Sequence, residues 1–273
     1  MKLTYLGTAA AEGYPALFCR CKYCMEAREL GGKNIRTRSQ AWINDDLLID
    51  FPADSYHHFL THGVEFDTVE SLIVTHGHSD HFYPRDLYIR GGAFAHEMRA
   101  PNLAVYAGAG VEERLYAGEG EMLNVSFTRV EPFTPFRAGR YEITPLPARH
   151  MQGSDPFFYV ISDGEKTLLY AHDTGYFFPE VWAWLEEHRP RFDAISLDCT
   201  NVDIPISDEG SHMGFPNIER VLERLAGLGS VTPETVKVVN HFSHNGNPRH
   251  DLLEARAAEY GCLVSYDGMT VEF

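Results

Sequence analysis

The sequence predicts an α/β protein in which a sheet scaffold presents a metal site from the loops at its strand ends. Three observations carry this prediction. Strand-like and helix-like segments alternate along all 273 residues, with no low-complexity linker and no repeat. Metal-ligand residue types recur directly after apolar strands, at Asp50, His76, Asp173, Asp198 and His241. Above all, His76-Gly77-His78-Ser79-Asp80-His81 sets four metal-binding side chains in one short stretch behind the apolar run 69–74. The first two histidines, two residues apart, can reach one ion, and the Asp-His pair can turn to a second beside it. Zinc accepts neutral imidazole and carboxylate here without any thiolate.

In chain order, residues 3–6 read as a strand, followed by a cysteine-bearing loop. Residues 41–44 and 47–50 flank Asp45-Asp46 as a hairpin, and 53–62 read as a short helix. The strand 69–75 feeds the histidine loop. Pro84 is placed to open a helix over 84–98, because its missing N–H costs nothing in a first turn. Strands follow at 103–106, 125–130 and 141–146. The strands 157–162 and 167–171 bracket Asp163-Gly164, a hairpin signal. Residues 179–188, 216–225 and 248–260 are helix candidates, and 194–198, 236–240, 263–266 and 270–273 are the remaining strands.

Composition bounds the function. Hydrophobic residues make up 44% and charged residues 23% of the chain, as in an ordinary globular protein, with 1–273 read as a single domain. The formal net charge of −16 repels polyanions and disfavours a long nucleic-acid substrate. The N-terminus reads as an immediate strand without an apolar segment of signal-peptide length, and no run is long enough to cross a bilayer. Five cysteines, three of them at Cys19, Cys21 and Cys24, suit a metal site in a reducing compartment better than a disulfide framework. The expectation is a cytoplasmic protein.

A dinuclear centre needs donors beyond one loop and an open position for water or substrate. His150, Asp173 in Asp173-Thr174-Gly175, and His241 each stand at or near a strand end. Taken singly, a strand-end His or Asp is as often a cap as a ligand; together with the histidine loop they form a pattern. Tetrahedral zinc at the C-x-C-x-x-C of residues 19–24 requires a fourth ligand, for which His244 is the best candidate.

The order H-x-H-x-D-H, a distal His, Asp in a D-T-G turn and a final His resembles the metallo-β-lactamase superfamily. The likeness runs from Tyr5-Leu6-Gly7-Thr8 to the final His. It implies a four-layer αββα sandwich with two divalent ions, zinc or manganese, at one edge of the paired sheets. Carried over, His76, His78 and His150 would hold one ion, Asp80, His81 and His241 the other, and Asp173 would bridge them. His172 would be a packing residue or a support behind a ligand. Asp50 would orient a ligand histidine from behind. The L-G-T start, the cysteine loop, His241-x-x-His244 and the closing Tyr266-Asp267-Gly268-Met269 narrow the likeness to the PhnP group of cyclic-phosphate phosphodiesterases. These are relatives of the tRNA 3′-processing endonucleases. There the cysteines and the later His hold a structural zinc, and a further His assists catalysis; His212 occupies the matching place.

With Asp80 and His212 as the catalytic residues, the resemblance implies hydrolysis of a small phosphodiester, cyclic ones included, by metal-activated water, and suggests a homodimer. The alternatives are a tRNA 3′-processing-type endonuclease, or a non-phosphodiesterase or cofactor-biosynthesis member of the same fold. Two segments depart from the group's pattern: Phe51-Pro52-Ala53-Asp54, and the acidic loop 203–210 ahead of His212. Arg149, beside His150, is open between a substrate phosphate and a surface ion pair. The aromatics Phe157-Phe158-Tyr159 and Tyr176-Phe177-Phe178 read as core rather than pocket lining.

Overall fold

A computed structural model describes residues 1–118, 122–151 and 153–273. The first sheet takes β1 (Lys2–Gly7), β2 (Gln40–Ile43), β3 (Leu47–Ile49), β4 (Ser71–Ile73), β5 (Leu103–Ala107) and β6 (Val125–Arg129) in that spatial order. The chain's final strand, Thr270–Glu272, pairs antiparallel with the outer edge of β1. The second sheet runs in order from β7 (Phe136–Ala138) through β8 (Tyr141–Pro147), β9 (Phe157–Ser162), β10 (Thr167–Ala171), β11 (Ala194–Asp198) and β12 (Val236–Asn240) to β13 (Leu263–Val264). Each sheet begins antiparallel and becomes parallel: β3 to β6 in the first, β10 to β13 in the second.

The two-residue period of a strand sorts side chains into layers. Leu3, Tyr5, Ala41, Ile43, Leu47 and Ile49 face Tyr159, Ile161, Leu168 and Tyr170 in the core between the sheets. Their alternates turn outward. Leu6 and Leu48 meet Val111 and Leu115 on the outer side of the first sheet. Phe158, Val160, Leu169 and Ala171 meet the helices over the second. Each fully buried Leu, Ile or Phe side chain stabilises the fold by about 1.5–3 kcal/mol.

The helices are α1 (Lys22–Leu30), α2 (Ser55–His62), α3 (Ala109–Tyr116), α4 (Pro179–His188), α5 (Phe215–Gly227) and α6 (His250–Ala258). In α5, Phe215, Ile218, Val221 and Leu225 recur at helical spacing and are buried, and Pro216 sits in its first turn. Helices α4, α5 and α6 cover the second sheet through Trp182, Leu225 and Leu253. The result is the αββα sandwich of the metallo-β-lactamase type.

Several elements differ from the sequence expectation. The helix expected over 84–98 is a 3-10 segment, Pro84–Ile89, followed by turns. Gly91 and Gly92 both take positive φ there, +127° and +58°, and no helix passes through such a pair. Helix α1 stands inside what read as a cysteine loop, while α3 and β7 were not foreseen. The strands expected at 69–75 and 263–266 shorten to Ser71–Ile73 and Leu263–Val264. Among the described residues, no helix is long and apolar enough to cross a membrane.

Candidate metal centre

Three residues at the site leave their strands through the left-handed region: Asp50 (φ 64°) after β3, Asp173 (φ 49°) after β10 and His241 (φ 66°) after β12. That conformation costs an L-residue roughly 1–2 kcal/mol. It turns each side chain sharply into the space where the two sheets meet. The histidine loop arrives from β4 and folds back on itself, with His81 N and Phe82 N both donating to His78 O, at 3.0 and 2.7 Å.

The expected ligand atoms converge in two overlapping groups, each spanning no more than 4.8 Å, and Asp173, Asp198, His212 and His241 form a third overlapping group beside them. One comprises His76, His78, His150 and Asp173; the other comprises Asp80, His81, Asp173 and His241. In the first, His78 Nδ1 lies 2.9 Å from His76 Nε2 and 3.0 Å from His150 Nε2. In the second, His81 Nε2 lies 3.2 Å from His241 Nε2 and 3.5 Å from Asp80 Oδ2. Asp173 belongs to both groups. Its Oδ2 is 3.3 Å from His76, 2.9 Å from His81 and 3.6 Å from His150, and its Oδ1 is 2.9 Å from His241 Nδ1.

The donor set fits divalent ions. Asp173 is almost wholly buried, yet its Oδ1 accepts no hydrogen bond despite the short approach of His241. A buried carboxylate oxygen without a donor is expensive unless a cation faces it. Burial opposes its ionisation, but the facing His241 and His81 hold its carboxyl well below the usual carboxylate range.

The rings are oriented from behind. His81 Nδ1 donates to Asp50 Oδ2 at 2.7 Å, and Asp50 Oδ1 accepts from Thr75 N at 2.8 Å. This fixes the tautomer that leaves Nε2 facing inward. His150 Nδ1 donates to Ser211 O at 3.3 Å, which likewise frees its Nε2. Phe51 clamps the loop through Phe51 N to His81 O and Tyr83 N to Phe51 O, both 2.7 Å. The departure at residues 51–54 therefore supports the site. Replacing Asp50 with Ala is expected to weaken metal affinity by about 10–100-fold, measured by competition with a chromogenic chelator.

His212, 24% exposed, closes the outer side. Burial pulls its imidazole down, but Asp198 at 3.0 Å raises it to about 9. Asp198 also accepts from Thr200 N and Met213 N, each at 3.0 Å. Asp198 and Thr200 were missed as partners of this site. The strand-end position of Asp198 was the available signal, but nothing local links it to a histidine fourteen residues on. His172 lies outside both groups, bonded to Ser196 Oγ at 2.7 Å and Asn240 Nδ2 at 3.1 Å. In the acidic loop, Asp203 pairs with Arg256 and Asp208 with Arg220, so both charges turn toward helices. Phe157, Phe158, Tyr159 and Phe177 are core residues, while Tyr176 and Phe178 are only half-buried.

In a separate group, Cys19, Cys21, Cys24 and His244 bring their ligand atoms together within 4.8 Å. His244 Nδ1 lies 3.6 Å from Cys21 Sγ and 3.5 Å from Cys24 Sγ, spacings a tetrahedral zinc can bridge. The Cys24 N–H at the start of α1, together with His244, lowers the Cys21 thiol to about 6. All three cysteines are free of disulfides. If zinc closes this cluster, Cys24→Ser should lower the melting temperature and zinc content together, since structural zinc contributes folding free energy. An unchanged melting curve with full zinc content would exclude Cys24 from it.

The Beta-lactamase superfamily domain matches residues 48–242. None of the curated proteins matches the chain by sequence. Among solved structures, the chain is similar to a diphosphatase from the PhnP family, with 20% identity, TM-score 0.73, and coverage of 100% of this chain and 96% of that one. It is similar to Zn²⁺-bound PqqB from Methylobacterium extorquens, with 17% identity, TM-score 0.73 and full coverage of both chains. Human tRNase Z, short form, aligns over 100% of this chain and 99% of its own, with 14% identity and TM-score 0.68. The domain match spans well over half of the chain, and the sandwich is the one these structures share. The protein belongs to the metallo-β-lactamase superfamily of metal-dependent hydrolases.

Proposed function

We propose that residues 1–273 act as one hydrolase domain that cleaves a small phosphodiester, with two zinc or manganese ions at the edge of the sandwich and a structural zinc at the cysteine cluster. The observation that carries this reading is Asp173, shared by two complete donor sets with His212 beside them. His76, His78 and His150 would hold one ion and Asp80, His81 and His241 the other. Bound there, divalent ions supply Lewis acidity toward a phosphoryl oxygen and an activated water.

The chain's own residues do the rest. Asp50 and Ser211 fix the rings of His81 and His150. Asp198 accepts a hydrogen bond from the Nδ1–H of His212 and favours the charged imidazolium, so that Nε2–H is the proton delivered to the leaving oxygen. The likeness to a PhnP-family diphosphatase supports phosphoryl chemistry, and the net charge of −16 favours a small ester over a long polyanion.

The test is hydrolysis of bis-p-nitrophenyl phosphate and a ribose cyclic phosphate by metal-loaded protein. Turnover of both, abolished in Asp80→Ala, is the expected result; no turnover of either with metals bound would refute the reading. His212→Ala should retain metal and lose about 10²–10⁴-fold on the poor ribose leaving group, with a smaller loss on p-nitrophenolate. Equal losses on both esters would remove the general-acid role.

A further inference from the structure

Helix α2 buries polar residues and exposes apolar ones: Ser55 and His58 are enclosed, while Tyr56, Phe59 and Leu60 face outward. A buried imidazole needs partners for both ring nitrogens. His58 Nδ1 lies 2.6 Å from Gln40 Oε1, and its Nε2 lies 2.7 Å from Thr37 Oγ1. On one side, the Thr37 hydroxyl lies 2.6 Å from Asp267 Oδ2. On the other, Gln40 Nε2 donates to Asp50 O at 2.9 Å and to Ser55 Oγ at 3.1 Å. One line of contacts therefore runs from Asp267, near the end of the chain, to the residue that orients His81.

Counting hydrogens gives each bond its direction. Asp50 O is a backbone carbonyl and can only accept, so Gln40 turns its amide nitrogen there and its Oε1 to His58. His58 Nδ1 then carries a hydrogen. The Nε2 of a neutral ring accepts from the Thr37 hydroxyl, whose single hydrogen is thereby used. Asp267 Oδ2 must then bring a proton of its own to the same hydroxyl. The surroundings agree. Burial pushes the Asp267 carboxyl up to about 6, against the pull of Thr37, Thr8 and Arg36. Burial also pulls His58 down to about 3, helped by His62 and His57 on its own helix. From the other elements, Arg36 reaches Asp267 through Thr8 Oγ1 and gives its second nitrogen to His250 Nδ1, while Asp54 is paired with Arg38.

Loss of the Asp267 proton reverses the line. The Thr37 hydroxyl turns to the carboxylate, and His58 shifts its hydrogen to Nε2 to follow it. Bare Nδ1 would then face Gln40 Oε1, one acceptor against another, so the amide turns over and Asp50 O loses its donor. Asp50 holds a left-handed backbone, and its carboxylate is already engaged by Thr75 and His81, so the carbonyl is the handle that Gln40 grips.

We propose that Gln40 and His58 are positioning residues for Asp50, and through it for the His81 ring, and that one proton on Asp267 sets the direction of the hydrogen-bond chain that joins them. The effect on metal binding rests on the reading of His81 as a ligand; the reversal of the chain does not.

Two measurements test it. The first is ¹⁵N NMR of histidine-labelled wild type, with the His58 ring assigned through its contact with the Thr37 methyl. The ring should carry its hydrogen on Nδ1 at about pH 5 and on Nε2 at about pH 8, following the Asp267 proton. One tautomer throughout, or a charged ring at the lower pH, overturns the proposal. The second is chelator competition for zinc at the two-ion centre in wild type and Gln40→Leu. Protonation of the ligands themselves is common to both proteins and cancels in the ratio of affinities. Wild type should bind about tenfold more tightly than Gln40→Leu near pH 5.5, with the advantage gone near pH 8. A ratio that does not change with pH overturns the positioning role. If wild type binds no zinc at this centre, the metal-site reading fails, while the His58 tautomer still decides the reversal.

Discussion

Replacing Asp173 with Ala is expected to empty both ion positions at once and to reduce turnover by at least about three orders of magnitude, the loss of several kcal/mol of Lewis-acid stabilisation. The expectation follows from its position. One carboxylate lies within 3.6 Å of His76, His81, His150, His212 and His241, so no other side chain touches as much of the site. His78→Ala should act differently, because His78 belongs to one donor set only. Metal analysis by mass spectrometry distinguishes them: two equivalents lost in Asp173→Ala, about one in His78→Ala. Equal metal loss in the two variants would mean that Asp173 does not join the two positions.

Gly175→Ala should damage catalysis without touching a ligand. A Cβ at Gly175 would lie 1.8 Å from Gly210 O and 3.1 Å from Arg149 Cδ. The first contact is with backbone, so the loop 203–212 has to move rather than a side-chain tip. That loop carries Ser211, whose carbonyl orients His150, and His212, which faces Asp198. The expected outcome is near-complete metal retention with kcat reduced about 10²-fold or more, as general-acid catalysis is lost. A fully active Gly175→Ala, or one that loses metal as Asp173→Ala does, would show that the loop is not seated through this contact.

How much of this was legible depended on sequence distance. The run 76–81 was readable because its donors are adjacent and follow an apolar strand, so local geometry alone aims them at one place. His150, Asp173 and His241 were readable only as strand-end residues in a recognisable order, and the sandwich came from the family resemblance that this order carries rather than from the strand pattern. The Asp198 clamp on His212 and the Ser211 carbonyl behind His150 were not readable. They are contacts between segments that the tertiary fold alone brings together, and a backbone carbonyl leaves no mark in a sequence. Helix α3 did leave a weak one, with Val111 and Leu115 four apart behind Gly108, but its short length hid the period. The helix expected over 84–98 failed because Pro84 marked a start while Gly91-Gly92 imposed an early stop. Gly175 shows the same limit: its need is a close approach to Gly210, thirty-five residues away.

The central claim is a two-ion site assembled around Asp173, separate from the cysteine cluster. Its most direct test is the metal stoichiometry of purified protein reloaded after chelation, measured by native mass spectrometry on wild type, Asp173→Ala and Cys24→Ser. The account predicts three bound ions in wild type, one in Asp173→Ala and two in Cys24→Ser. A wild type that binds a single ion, or an Asp173→Ala protein that keeps all three, would contradict it.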